Sequence, residues 1–95
     1  ARLVPLVPIV ANLADPKNVW MRVEASILVE GPTSQSDALA AQFAEDMLAY
    51  LKTTTLAQFA GPSGFQNLRE DFKDRASIRD KVRIKDVVIH GVVVE

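Results

Sequence analysis

The 95-residue chain contains no cysteine. Disulfides, thiolate nucleophiles, sulfur-ligated zinc and iron–sulfur clusters are excluded together. Imidazole is almost as scarce: the single histidine, His90, sits in an apolar β-branched run. No neighbouring nucleophile, orienting acid or second ligand at metal spacing accompanies it, so it reads as a structural histidine. There is no G-x-S-x-G elbow, and the serines fall at prospective helix caps and on the outer side of a strand. The carboxylates Glu45, Asp46, Glu70, Asp71 and Asp74 are not ordered into an Asp-x-Asp-x-Asp-Gly loop, and read as solvated helix faces. No enzyme activity, metal or cofactor is expected. A dominant charge sign is also missing, with 11 Lys plus Arg against 12 Asp plus Glu and a net charge of -1. That balance lacks the excess of cations on which non-specific nucleic-acid binding depends. Pro5 and Pro8 interrupt the N-terminal apolar stretch, and no run approaches the roughly 18 residues of a membrane span.

What is present is a globular composition, 48% hydrophobic, with a mean hydropathy of +0.09. The length allows one domain over residues 1–95. Size scaling gives a folded surface of roughly 5,400 Å² and about 64% of the unfolded surface buried, enough for a modest core. The chain begins at Ala1 without methionine, inside an apolar segment. An upstream part, with a signal or anchor, is the expectation. Two readings stand for Val4 to Pro8: an edge strand entering the sheet, or a rigid spacer leaving a membrane.

Hydrophobic periodicity lays out the elements. Val19 to Glu30 alternates as a strand, with Val19, Met21, Val23, Ala25, Ile27 and Val29 on one side and Arg22, Glu24, Ser26 and Glu30 on the other. Trp20 and Leu28 fall on the polar side and give it apolar area at both ends. Val7 to Leu13 is strand-like, and Ala14 to Asn18 supplies turn chemistry that joins it to the first strand as a hairpin. Gly31 and Pro32 end the strand; Ser34 with Asp37 has the form of a capping box. Leu39, Phe43, Met47, Tyr50 and Leu51 then form a helical stripe that ends near Thr53 to Thr55. A short turn at Leu56 to Phe59 leads to Gly61-Pro62-Ser63-Gly64, where Ser63 and Gln66 read as a second capping box. Phe65, Leu68 and Phe72 line the next helix, and Val82 to Glu95 closes the chain as a strand. Beyond Asp86 this last strand is apolar on both parities, which predicts burial on both faces, or on one face in the chain and the other against a partner.

These elements compose an α+β fold. Two main helices pack on a three-stranded antiparallel-type sheet, in the order ββααβ with a short extra helical turn. The uncovered side of such a sheet would carry Trp20 and Leu28 with Val87, Ile89 and Val93, or with Val88 and Val92. It is the expected surface for self-assembly or for a partner. Gly61 to Gly64 also has the G-x-x-G form of a KH-domain loop, which suggests as an alternative a small nucleic-acid-binding module. Pro62 removes an amide from that loop and adds no charge, and a capping role accounts for the four residues.

The ordered set of segments resembles one family. Pro5-Leu6-Val7-Pro8-Ile9-Val10-Ala11-Asn12-Leu13-Ala14 and the strand Trp20 to Val29 resemble the start of the periplasmic domain of the FliL family, associated with the flagellar basal body. Asp46 to Thr53, Thr55 to Asp71 with its Gly-x-x-Gly step, and Val82 to Ile89 are similar to that family's middle and closing strand. The resemblance implies a non-catalytic protein with a stomatin-like (SPFH) domain in the periplasm. It also implies a transmembrane helix before Ala1, a homo-oligomeric ring, and support of the torque-generating stator units built from MotA and MotB. It implies no nucleic-acid partner. The chain departs from it by ending in Val94-Glu95, where relatives commonly end in Val-Gln.

Overall fold

The computed structural model describes residues 1–95. Strands β1 (Arg2–Pro5), β2 (Ile9–Asn12) and β3 (Trp20–Val29) come first. Helix α1 (Thr33–Leu51), a 3₁₀ turn (Leu56–Phe59), helix α2 (Gly64–Asp80) and strand β4 (Ile84–Val94) follow. The α+β class holds, but the antiparallel sheet has four strands rather than three. The difference originates at Pro5 and Pro8. β1 pairs with the second half of β3, from Arg2↔Val29 to Pro5↔Ser26, and β2 with its first half, from Ile9↔Val23 to Asn12↔Trp20. The two lie end to end along one edge of β3, broken where proline has no N–H to give the ladder. Val4 and Leu6 are buried in the core, which excludes the spacer reading of Val4 to Pro8.

β3 is the central strand, with β4 along its other edge. Its alternation is realised: Met21, Val23, Ala25, Ile27 and Val29 are all buried. At the far end of the hairpin, the turn that contains the cis Asp15–Pro16 bond is tied down by the helical layer. The Ala14 N–H donates to Thr54 O (2.8 Å) and the Leu56 N–H to Asp15 O (3.0 Å).

β4 departs from the expected burial. Its pairing with β3 shifts register between Glu24 and Ala25 and again between Leu28 and Val29. One extra residue is accommodated at each place, His90 at the first and Lys85 at the second. Each bulge flips the parity of the residues beyond it. The inward side therefore runs Ile84, Val87, Ile89, Val92, Val94, and this accounts for apolar residues on both parities without burial on both faces. Val88 and Val93 are exposed.

Both helices cover the inward face. α1 contributes Leu39, Ala40, Phe43, Ala44, Met47 and Leu51, and α2 contributes Leu68, Phe72 and Ala76. The rings of Phe43 and Phe72 meet edge to face at 6.4 Å between centroids, an arrangement the ring quadrupoles favour. Phe65, expected in the core, is exposed on the first turn of α2. Neither predicted capping box forms: α1 takes Pro32 as its N-cap, two residues before Ser34, and Ser63 precedes α2 without a side-chain cap. Ser36 Oγ instead donates back to Pro32 O, and Gln66 pairs with Glu70. The capping box that does form is Thr55 with Gln58, on the 3₁₀ turn. The total accessible surface, 5514 Å², matches the size-scaling value, and the molecule is elongated at 40 × 22 × 20 Å.

Candidate functional site: the open face of the sheet

Strand pairing fixes which side chains share the face that no helix covers. Reading across the sheet, Leu3, Leu28 and Asp86 form one row, Pro5, Ser26 and Val88 the next. Beyond the Glu24–Gly91 pair, Val10, Arg22 and Val93 form another row, and Asn12 and Trp20 end the face. Trp20 exchanges two backbone hydrogen bonds with Glu95, each 2.8 Å, which closes that end of the sheet. Trp20 is 49% exposed, an unusual state for the only tryptophan of a small domain. Val10 and Val93 are exposed near it, while Leu3 and Val88 are exposed at the other end of the face, where Leu28 is half-buried.

The face has two apolar zones with a polar belt between them. In the belt Arg22 and Glu24 pair along β3 at 3.2 Å. Beside them Ser26, itself buried, meets His90 Nε2 at 2.8 Å. The bulge at His90 thus places the imidazole over Ser26 and holds the two central strands together on their solvent side.

Of the five residues singled out from sequence, Trp20, Leu28 and Val93 lie on this face. Val87 and Ile89 do not: Val87 is in the core and Ile89 packs against it. The bulge at Lys85 places them there, so Val88 takes their position on the open face. Leu3 and Val10 were missed. Their signal was present, since they are apolar on the parity opposite Val4, Ile9 and Ala11, but it needed the register across the Pro5–Pro8 break to become readable.

The two edges of the sheet are less available than its face. On the β1–β2 side, Pro5 and Pro8 break the row of donors and leave only a short free segment at Val10 to Asn12. On the β4 side, the Asp86 carboxylate accepts from the Val87 N–H (2.8 Å) and also lies 3.5 Å from Lys73 Nζ. The bulges at Lys85 and His90 twist the rest of that edge. Prolines, an inserted charge and bulges are the devices by which β proteins discourage edge-to-edge pairing.

The Gly61–Gly64 loop is explained by backbone geometry. Gly61 has φ +78°, where side chains are disfavoured. A Cβ at Gly64 would collide with the Phe59 carbonyl oxygen, so only glycine lets α2 start against the 3₁₀ turn. Nothing in the loop gathers positive charge, and the KH-like reading gains no support from it.

A polar cluster joins the helices on the side away from the sheet. Arg79 donates twice to Asp46, at 2.7 and 2.8 Å. Tyr50 donates its hydroxyl to Asp71, and the Arg75 guanidinium lies 4.8 Å from the centre of the Tyr50 ring. Partial burial, then the hydrogen bond to Asp71 and its charge, push the Tyr50 phenol above its ordinary range. These contacts bridge α1 to α2 and bring no nucleophile and base together. No group of three or more His, Asp or Glu is placed to hold a metal ion, and no helix is long and apolar enough to cross a membrane.

No curated protein matches the chain. The family model for flagellar basal body-associated protein FliL matches residues 3–94. That span takes in every strand and helix described above except Arg2 at the start of β1. The chain belongs to the FliL family of flagellar basal-body accessory proteins.

Proposed function

We propose that this domain is a non-catalytic collar of the flagellar motor. It assembles with other copies through the open face of its sheet and supports the MotA–MotB stator units when the motor works under load. The carrying observation is the apolar face built by Leu3, Val10, Trp20, Leu28, Val88 and Val93 on a FliL-family domain whose sheet edges offer no long free strand. In this reading the domain stands in the periplasm on a single transmembrane helix preceding Ala1, and its two helices on one face of an antiparallel sheet correspond to the stomatin-like (SPFH) architecture.

Magnitudes fix how such assembly must work. Covering about 400 Å² of apolar surface contributes roughly 10 kcal/mol at ~25 cal/mol per Å², against association costs of about 4–15 kcal/mol. A free pair of domains is therefore near balance. Confinement to a membrane or around a stator raises the effective concentration and tips the balance toward assembly. The mechanism needs no bond chemistry, because load passes through the packed core and the β3–β4 ladder.

The test is carried out in cells with the full-length protein. Trp20→Glu combined with Val93→Glu puts two carboxylates on the open face without touching the core. Swimming speed in viscous medium is expected to fall while the protein accumulates normally. Unchanged motility under load with both substitutions present would overturn the reading.

A further inference from the structure

The structure carries a second surface between β2 and the flank of α1, adjoining the open face at Val10. Val7, Pro8, Ile9 and Val10 form one side and Ala41, Ala44, Glu45 and Leu48 the other, around a groove of about 310 Å³. Two features of different origin meet there.

The first is backbone. The Leu13 N–H donates to Val19 O, which marks Leu13↔Val19 as a hydrogen-bonded pair. In an antiparallel ladder such pairs recur at every second residue. Ala11 and Ile9 therefore bond to β3, opposite Met21 and Val23. Val10 and Asn12 direct their N–H and C=O groups away from β3; Val10 lines the groove and Asn12 continues the same free edge beyond it. Pro8 on one side and the Ala14 to Asn18 turn on the other limit this free edge to a few residues. It is too short to seat an eleven-residue strand such as β4 of a second copy.

The second is the wall. Ala41, Ala44 and Leu48 sit on one flank of α1 over about 10 Å, at ~1.5 Å per residue. A strand rises about 3.3 Å per residue and sends alternate side chains to one face. The wall thus accepts two inward side chains, at i and i+2, of an added strand. Both small alanines leave room for a branched aliphatic group. Glu45 closes the rim and takes part in none of the chain's three ion pairs, with Arg79 feeling its charge only at longer range, so the groove offers a carboxylate with no direct partner.

We propose that this groove binds a short extended peptide segment as an added β-strand. The partner pairs with Val10 and Asn12, inserts two aliphatic side chains spaced two apart against Ala41, Ala44 and Leu48, and brings one basic residue to Glu45. Strand addition beside a helix is an established mode of peptide recognition in which the backbone provides affinity and the pockets provide selectivity.

The probe is the capped peptide acetyl-Lys-Val-Ala-Val-Thr-amide, titrated into the 95-residue chain and followed by amide NMR shifts. Shifts are expected at Val10, Asn12, Ala41, Ala44 and Leu48. N-methylation of the alternate amides that face β2 is expected to weaken binding at least tenfold, while methylation of the other set leaves it unchanged. Glu45→Lys should reduce affinity for this probe and favour the version that carries Glu in place of Lys. Val10→Pro removes the edge donor and should abolish binding; should that variant fail to fold, Ala41→Trp, at an exposed helix position, fills the groove and should do the same. Trp20→Glu leaves this binding intact, which separates it from the open-face reading. Equal binding of both N-methylated sets, shifts that cluster elsewhere, or none at millimolar peptide would overturn the proposal.

Discussion

The two faces of β3 are made from one ten-residue strand, yet they have opposite fates. Met21, Val23, Ala25, Ile27 and Val29 vanish under two helices, while Trp20, Arg22, Glu24 and Leu28 stay in contact with solvent on the other side. Large apolar residues occur on both. The covered face shows what the fold needs: continuous aliphatic packing, closed by Phe43 against Phe72. The open face shows what the fold does not need, since a tryptophan half in water contributes little to stability where it stands. On the proposed reading, this apolar area serves contact with other copies rather than the fold.

Six substitutions sharpen that contrast, from the covered side to the open one. Phe43→Ala or Phe72→Ala should be the most damaging, about 3–5 kcal/mol in denaturant unfolding, because each empties a site at the junction of the helices and the sheet. Gly64→Ala comes next, at about 2–3 kcal/mol, since its Cβ has to displace the Phe59 carbonyl. Gly91→Ala, on the open face with no atom within 4 Å of its Cβ, should be tolerated, and the pair of glycines is a control for close approach as such.

Tyr50→Phe removes the hydrogen bond to Asp71 and should cost about 0.5–1.5 kcal/mol near neutral pH. It should also change the pH profile. The folded phenol titrates above its unfolded value, so below about pH 10 its contribution is fully present. As the pH rises past that point the unfolded state loses the proton first, and stability falls. Unfolding midpoints measured between pH 8 and pH 11 should decline more steeply for the native chain than for the phenylalanine variant. Trp20→Ala should have the smallest effect, within about 0.5 kcal/mol, as for other exposed positions. A loss comparable to that of Phe43→Ala would mean that Trp20 serves the fold and would erase the distinction between the faces.

Much of the covered face was legible in the sequence. Period-two alternation in β3 and the three-to-four spacing in α1 each depend on local geometry alone, and they identified the core side of both elements. The open face was only half legible. Trp20 and Leu28 could be placed because β3 is regular, and Val93 because it falls beyond both bulges. Val87 and Ile89 were misplaced because a bulge is a property of two strands together, and neither Lys85 nor His90 announces that it will be the extra residue. Similarly, β1 was hidden by prolines that look like a break yet only divide one edge strand into two. The two capping boxes failed for another reason: Ser34 and Ser63 have the right spacing, but α1 is capped two residues earlier, at Pro32, and α2 starts where the 3₁₀ turn presses on Gly64.

The absence of cysteine from this domain makes the central claim directly measurable. Single cysteines placed at Trp20 or Val93 on the open face, and at Ile78 on the exposed flank of α2, can be introduced in the full-length protein and oxidised in swimming cells. Disulfide-linked dimers at the first two positions, and none at Ile78, is the result expected if copies meet through the open face. Crosslinking at Ile78 with none at Trp20 or Val93 would contradict it.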